Sequence, residues 1–123
     1  MPHYIISPRN GKRLEVAEHD LSDSMSWDAA MAICKNLDDG WRMPDLFELV
    51  DIFKFLHLEG FVRLNVELWY WSCSLNPKDM AYCINFSLKK VASFGDVKQC
   101  FVRCVRELPH DESTSNNLME VKN

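Results

Sequence analysis

The chain has 123 residues, 47% of them apolar and 26% charged, with a formal net charge of −4 at neutral pH. That length suits one domain around one core, and the apolar content is too high for general disorder. The charge argues against a nucleic-acid partner, because basic residues occur as doublets such as Lys12-Arg13 and Lys89-Lys90, without the stripe that phosphate neutralisation needs.

No stretch approaches the roughly 20 apolar residues of a membrane span, and Tyr4-Ile5-Ile6 is too short for the core of a signal peptide. A cytoplasmic setting is expected on that ground, or an extracellular or cell-surface one if the chain is processed or fused. Five cysteines, Cys34, Cys73, Cys83, Cys100 and Cys104, make an odd total that favours reduced thiols, yet they outnumber what core packing alone would ask.

In chain order, His3 to Ser7 and Arg13 to Ala17 read as short strands around Pro8-Arg9-Asn10-Gly11, since Asn-Gly accepts the positive φ angles of a tight hairpin. Ser26 then caps a helix in which Trp27, Ala30, Met31, Cys34 and Leu37 recur at helical spacing until Asp38-Asp39-Gly40. Trp41-Arg42-Met43-Pro44 is extended, because the residue before proline is pushed out of helical angles. Asp45, with Glu48 three positions later, caps a second helix whose apolar face is Leu46, Leu49, Val50, Phe53 and Leu56. It ends near His57, with Gly60 as its outer limit.

Residues 61–68 show no period and read as irregular. Trp69 to Cys73 and Ala81 to Phe86 read as strands joined by the turn Asn76-Pro77-Lys78-Asp79. A register symmetric about Lys78 would set Cys73 opposite Cys83, at a separation that a disulfide spans. Further strands are expected at Lys90 to Ala92 and Phe101 to Arg106. From Glu107 a polar tail begins, with residues 1–108 as the domain and 109–123 as tail, in which Leu118, Met119 and Val121 could dock locally.

Several chemistries are weak on spacing alone. Cys100 and Cys104 lie about 13 Å apart if extended, too far to share one ion, so no metal and no cofactor is expected. His3, His19, His57 and His110 share no ligand or triad spacing, and Ser72 lacks the glycine elbow of a hydrolase nucleophile. Trp27, Trp41, Tyr70 and Trp71 could stack on a sugar, but a small core needs such fillers; alternation buries either Tyr70 or its two neighbours. Arg42, Arg103 and Arg106 look like an anion clamp as a set, while pairing with helix ends or with carboxylates such as Asp45 and Glu48 is the simpler reading.

Four segments occur in the order of one known family: Trp27-Asp28-Ala29-Ala30-Met31-Ala32-Ile33-Cys34, then Gly40-Trp41-Arg42-Met43-Pro44-Asp45-Leu46-Phe47-Glu48-Leu49, then Tyr70-Trp71-Ser72, and Val102-Arg103-Cys104-Val105-Arg106. Together they resemble the bacterial DUF1566 (Lcl C-terminal-like) branch of the C-type lectin-like fold. The resemblance implies an α+β fold, with two helices packed on small antiparallel sheets and a loop-rich ligand face. It also implies a long-range bridge between Cys34 and Cys104, or packed thiols there in a reducing cytosol. The Glu-Pro-Asn and Trp-Asn-Asp motifs of calcium-dependent sugar binding are lacking, since Asn76-Pro77 has no preceding glutamate.

The function so implied is that of a non-enzymatic binding module. A protein or glycan ligand would be recognised through residues 73–99, with Asn76, Lys78 and Asp79 foremost among polar groups that include Asn85, Lys89, Ser93 and Asp96. A homo-oligomer, as a structural assembly subunit, is one alternative. Another is a small relative of the formylglycine-generating oxidases, which would draw on Cys100 and Cys104.

Overall fold

A computed structural model describes residues 3–6, 10–94 and 99–108. The fold is α+β, with two helices and two antiparallel three-stranded sheets. The first sheet joins the two ends of the described chain. Its strands β1 (His3–Ile6), β2 (Arg13–Val16) and β6 (Val105–Glu107) lie in the order β1-β2-β6, with β1 outermost. Alternation puts Ile5, Leu14 and Val105 into the core and leaves Tyr4 and Ile6 outside. Ile6 pairs with Arg13, so residues 7–12 form a longer connection than a two-residue turn; of the expected Pro8-Arg9-Asn10-Gly11 turn, Pro8 and Arg9 lie outside the described residues. Glu107 belongs to β6 and not to a tail, and residues 109–123 also lie outside the described residues.

Helix α1 (Trp27–Lys35) starts at Ser26, whose Oγ accepts from the Ala29 N–H. It stops before Leu37 because the Asn36 and Leu37 N–H groups turn back to Ile33 and Cys34, three residues earlier, tightening the last turn. Gly40, at φ 81°, completes the reversal in a conformation suited to glycine. Residues 42–44 then stitch the two sheets together: Arg42 exchanges both backbone hydrogen bonds with Val105, and the Pro44 carbonyl accepts from Cys73.

Asp45 and Glu48 form a complete capping box on α2 (Leu46–Ile52), which widens into a π-helical turn, Phe53–His57. The Phe53 ring stacks between Phe86 and His57, at 4.5 and 5.2 Å. His57 Nδ1 accepts from the Leu64 N–H, anchoring the irregular stretch that follows.

The second sheet comprises β3 (Trp69–Leu75), β4 (Ala81–Asn85) and β5 (Lys90–Phe94), in that order. Its first hairpin corrects the expected register. Leu75 pairs with Ala81 as symmetry about Lys78 requires, but the pairing shifts before Trp71, which faces Cys83. Within the shift the Cys73 N–H goes to Pro44 and the Ser74 N–H to Ser72 Oγ, so neither joins the ladder to β4. Cys73 and Cys83 are therefore not cross-strand partners; Cys83 sits between Trp71 and Ala92.

Alternate residues of β3 and β4 enter two core clusters. Tyr70, Ile84 and Phe86 pack with Leu49, Ile52 and the first sheet, whereas Trp71, Ala81 and Cys83 pack with Ala30, Cys34, Met43, Cys100, Val102 and Cys104. Both Tyr70 and Trp71 are thus buried, correcting the expectation that one face of the strand would stay open.

Residues 100–104 are extended but are not the regular start of the last strand. The carbonyls of Cys104, Val102 and Cys100 accept from Ala17, Leu21 and Met25. A step of two on one side against four on the other forces the partner segment to loop outward between contacts, so no ladder forms.

Candidate functional site

The turn that the sequence favoured is largely self-satisfied. Asn76 Oδ1 accepts from the backbone N–H groups of Lys78 and Met80, at 2.8 and 3.0 Å, and Asp79 adopts a φ of 61°. Asn76 is thereby a turn-former. The Lys78 and Asp79 side chains are exposed. Most of residues 73–94 form the β3-β4-β5 sheet, and Asn85 is buried, bonded to the Glu67 carbonyl and the Leu88 N–H; Asp96 lies outside the described residues.

The three arginines of the clamp reading diverge. Arg42 holds Glu48 with two 2.8 Å bonds and reaches Glu107, which raises its guanidinium pKa further. Arg106 binds Glu15 at 2.7 Å and lies over the Trp41 ring. Arg103, only 3% exposed, donates to Asp20 and to the carbonyls of Ala17 and Arg63.

Tyr70 joins this last network, donating to Asp20 Oδ2 and accepting from the Asn65 N–H, and burial raises its pKa. A polar cavity of about 700 Å³ borders it, lined by Glu18, His19, His57 and Arg63 among others. Among the described residues no three His, Cys, Asp or Glu side chains gather as a metal site.

The aromatic platform is likewise engaged elsewhere. Trp27 Nε1 donates to the Ser72 carbonyl and Trp71 Nε1 to that of Met25.

All five cysteines are free thiols. Four of them lie in one buried cluster, where Cys34 interacts with Cys104 and Cys83 with Cys100, raising the thiols of Cys104 and Cys100. The second pairing escaped the sequence reading because its signal is sheet order, not spacing: Cys83 faces Trp71, and Trp71 bonds to Phe101, next to Cys100. Cys100 and Cys104, the pair an oxidase-like chemistry would use, face different sulfurs.

The feature that sequence reasoning missed is an apolar cleft of about 520 Å³ between β1 and the end of the π-helical turn. It is lined by His3, Tyr4, Ile5, Ile6, Phe55, Leu56 and Phe61. Its rim is well exposed, with Ile6 at 65% and Phe61 at 59%, and Leu58 nearby in sequence at 63%. Among the described residues no strand pairs with the outer edge of β1. The available signal was the run Tyr4-Ile5-Ile6: on a short strand with one buried face, alternation leaves at least one of the three uncovered.

No family model matches the chain, and no curated protein sequence is significantly similar to it. Among the described residues no helix is long and apolar enough to cross a membrane.

Proposed function

We propose that the protein is a non-enzymatic binding module whose ligand is an extended segment of another protein, held along β1. The observation that carries this reading is the outer edge of β1, unpaired among the described residues, beside the apolar cleft of Tyr4, Ile6, Phe55 and Phe61. An open edge offers backbone hydrogen bonds to an added strand, and an adjoining apolar cleft accepts its alternate side chains. A protein ligand is favoured over a glycan because Trp27 and Trp71 spend their polar ends on backbone carbonyls and Trp41 is stacked under Arg106. Calcium-dependent sugar chelation forms no part of the proposal. The C-type lectin-like, DUF1566-like reading does; it rests on the four sequence motifs, supported by the meeting of α1 with the closing segment at Cys34 and Cys104.

The same edge favours one second reading, a homo-oligomeric assembly subunit, since an antiparallel edge can pair with its own copy about a two-fold axis. Selection of a displayed random-peptide library on the full chain distinguishes these. Peptides with alternating apolar residues should emerge and lose at least tenfold in affinity on Ile6→Lys. Peptides indifferent to Ile6→Lys but abolished by Lys78→Glu with Asp79→Lys would return the site to the 76–79 turn. Sedimentation showing a dimer that Ile6→Lys dissociates would favour the assembly reading.

A further inference from the structure

A second cavity, of about 430 Å³, opens beside α1, and its volume lies in the range of small-molecule sites. Met31, Leu37, Trp41 and Met43 give it an apolar lining, and Cys34 and Cys73 also line it. Cys104 is buried in the same core cluster as Cys34, and each thiol perturbs the other's acidity. A cavity thus borders one member of an interacting thiol pair whose other member lies in the core.

We propose that this cavity is a thiol–disulfide exchange site for small apolar disulfides, with Cys34 as the attacking sulfur and Cys104 as the resolving one. The Cys34 thiolate attacks one sulfur of R–S–S–R; that bond breaks, and the first RS⁻ leaves with the electron pair. The Cys104 sulfur, losing its proton, then attacks Cys34 Sγ and expels the second RS⁻. Two protein thiols are oxidised to one disulfide, and the small disulfide is reduced to two thiols that carry away the two protons.

The order of events follows from access: Cys34 lines the cavity and Cys104 is not among its lining residues. The interaction of the two thiols lowers Cys34 and raises Cys104, in the same sense. Cys73, on the same cavity, is raised by burial and serves as an internal comparison.

The test treats the native full chain at neutral pH with diethyl disulfide, followed by intact mass and peptide mapping. Wild type should lose 2 Da without retaining an adduct, through a Cys34–Cys104 linkage, as is expected of any direct dithiol oxidation by exchange. Cys104→Ser should trap the mixed disulfide on Cys34. Cys34 should react at least tenfold faster than Cys73 in unsubstituted protein, a comparison that needs no variant to fold. Met31→Trp, which fills the cavity, should slow a bulky aromatic disulfide more than the small one. Adducts accumulating on Cys73 while Cys34 stays unmodified until urea unfolds the chain would overturn the proposal, as would a Cys104→Ser protein with no adduct on Cys34.

Discussion

Replacing Arg103 with methionine keeps most of the buried volume and removes three donated hydrogen bonds. Its Nε lies 2.8 Å from Asp20 Oδ1, one Nη 2.7 Å from the Arg63 carbonyl and the other 3.3 Å from that of Ala17. A hydrogen bond to a charged partner contributes about 1.5–3 kcal/mol and each carbonyl bond about 1 kcal/mol. Breaking a buried ion pair by removing one side costs about 3–5 kcal/mol by independent measure. Because the Asp20 side chain keeps 20% of its exposure, water restores part of its solvation and the lower end applies. Arg103→Met should therefore cost about 3–4 kcal/mol in urea unfolding followed by far-UV circular dichroism. At about 4 °C per kcal/mol, the melting temperature falls by about 12–16 °C. Combining it with Asp20→Asn should cost clearly less than the two changes separately, with a coupling of at least about 1.5 kcal/mol. A loss under about 1 kcal/mol, or strict additivity, would refute the role given to this network in closing residues 17–25 over 100–104.

Other perturbations read other joints of the fold. Tyr70→Phe deprives the Asn65 N–H of its acceptor and Asp20 of a donor; it should cost about 1–3 kcal/mol in the same assay, and a neutral result would mean the hydroxyl is not engaged. Asp45→Ala removes the capping-box acceptor of α2 and should cost about 1 kcal/mol, with faster amide exchange in the first turn of that helix. Gly40→Ala meets no neighbouring atom but sits at φ +81°, so a loss of about 1 kcal/mol should appear through conformation alone. Under reducing conditions stability should fall as pH rises above the ordinary thiol value of 9.0. Hydrogen bonding to Cys83 raises Cys100, hydrogen bonding to Cys34 raises Cys104, and burial raises Cys73 and Tyr70. Groups with raised folded values keep protons that the unfolded chain gives up, so the folded state loses ground as pH climbs; lowered Cys34 alone acts in the opposite sense. Urea midpoints should record a net loss of more than about 1.4 kcal/mol between pH 10 and 11, and a flat profile would contradict the burial of these groups.

Local chemistry was legible where one residue and its near neighbours decide the outcome. Ser26 and Asp45 could be read as caps because a side-chain oxygen three residues ahead of a free N–H needs nothing from the rest of the chain. The second hairpin was legible as two strands and a turn, but its register was not. The shift between Trp71 and Leu75 depends on Pro44, which draws off the Cys73 N–H from a distant part of the sequence. The last strand was placed too early because residues 100–104 look like strand in composition, while their partner, residues 17–25, is not a strand. Burial of both Tyr70 and Trp71 depends likewise on each face of β3 meeting a different cluster.

The candidate site divides in the same way. Asn76 stood out for its turn chemistry, and the turn consumes its side-chain oxygen. The cleft beside β1 needs Phe55 and Phe61 brought to Tyr4 and Ile6 across β2, α1 and α2, a juxtaposition that no local pattern encodes.

Amide chemical-shift mapping, with isotope-labelled protein titrated by a peptide from the display selection, tests the proposed ligand edge most directly. Saturating shifts confined to His3–Ile6 and residues 55–61, with new amide protection along β1, are the predicted result. Shifts centred on residues 76–91, with His3–Ile6 unmoved, would contradict it.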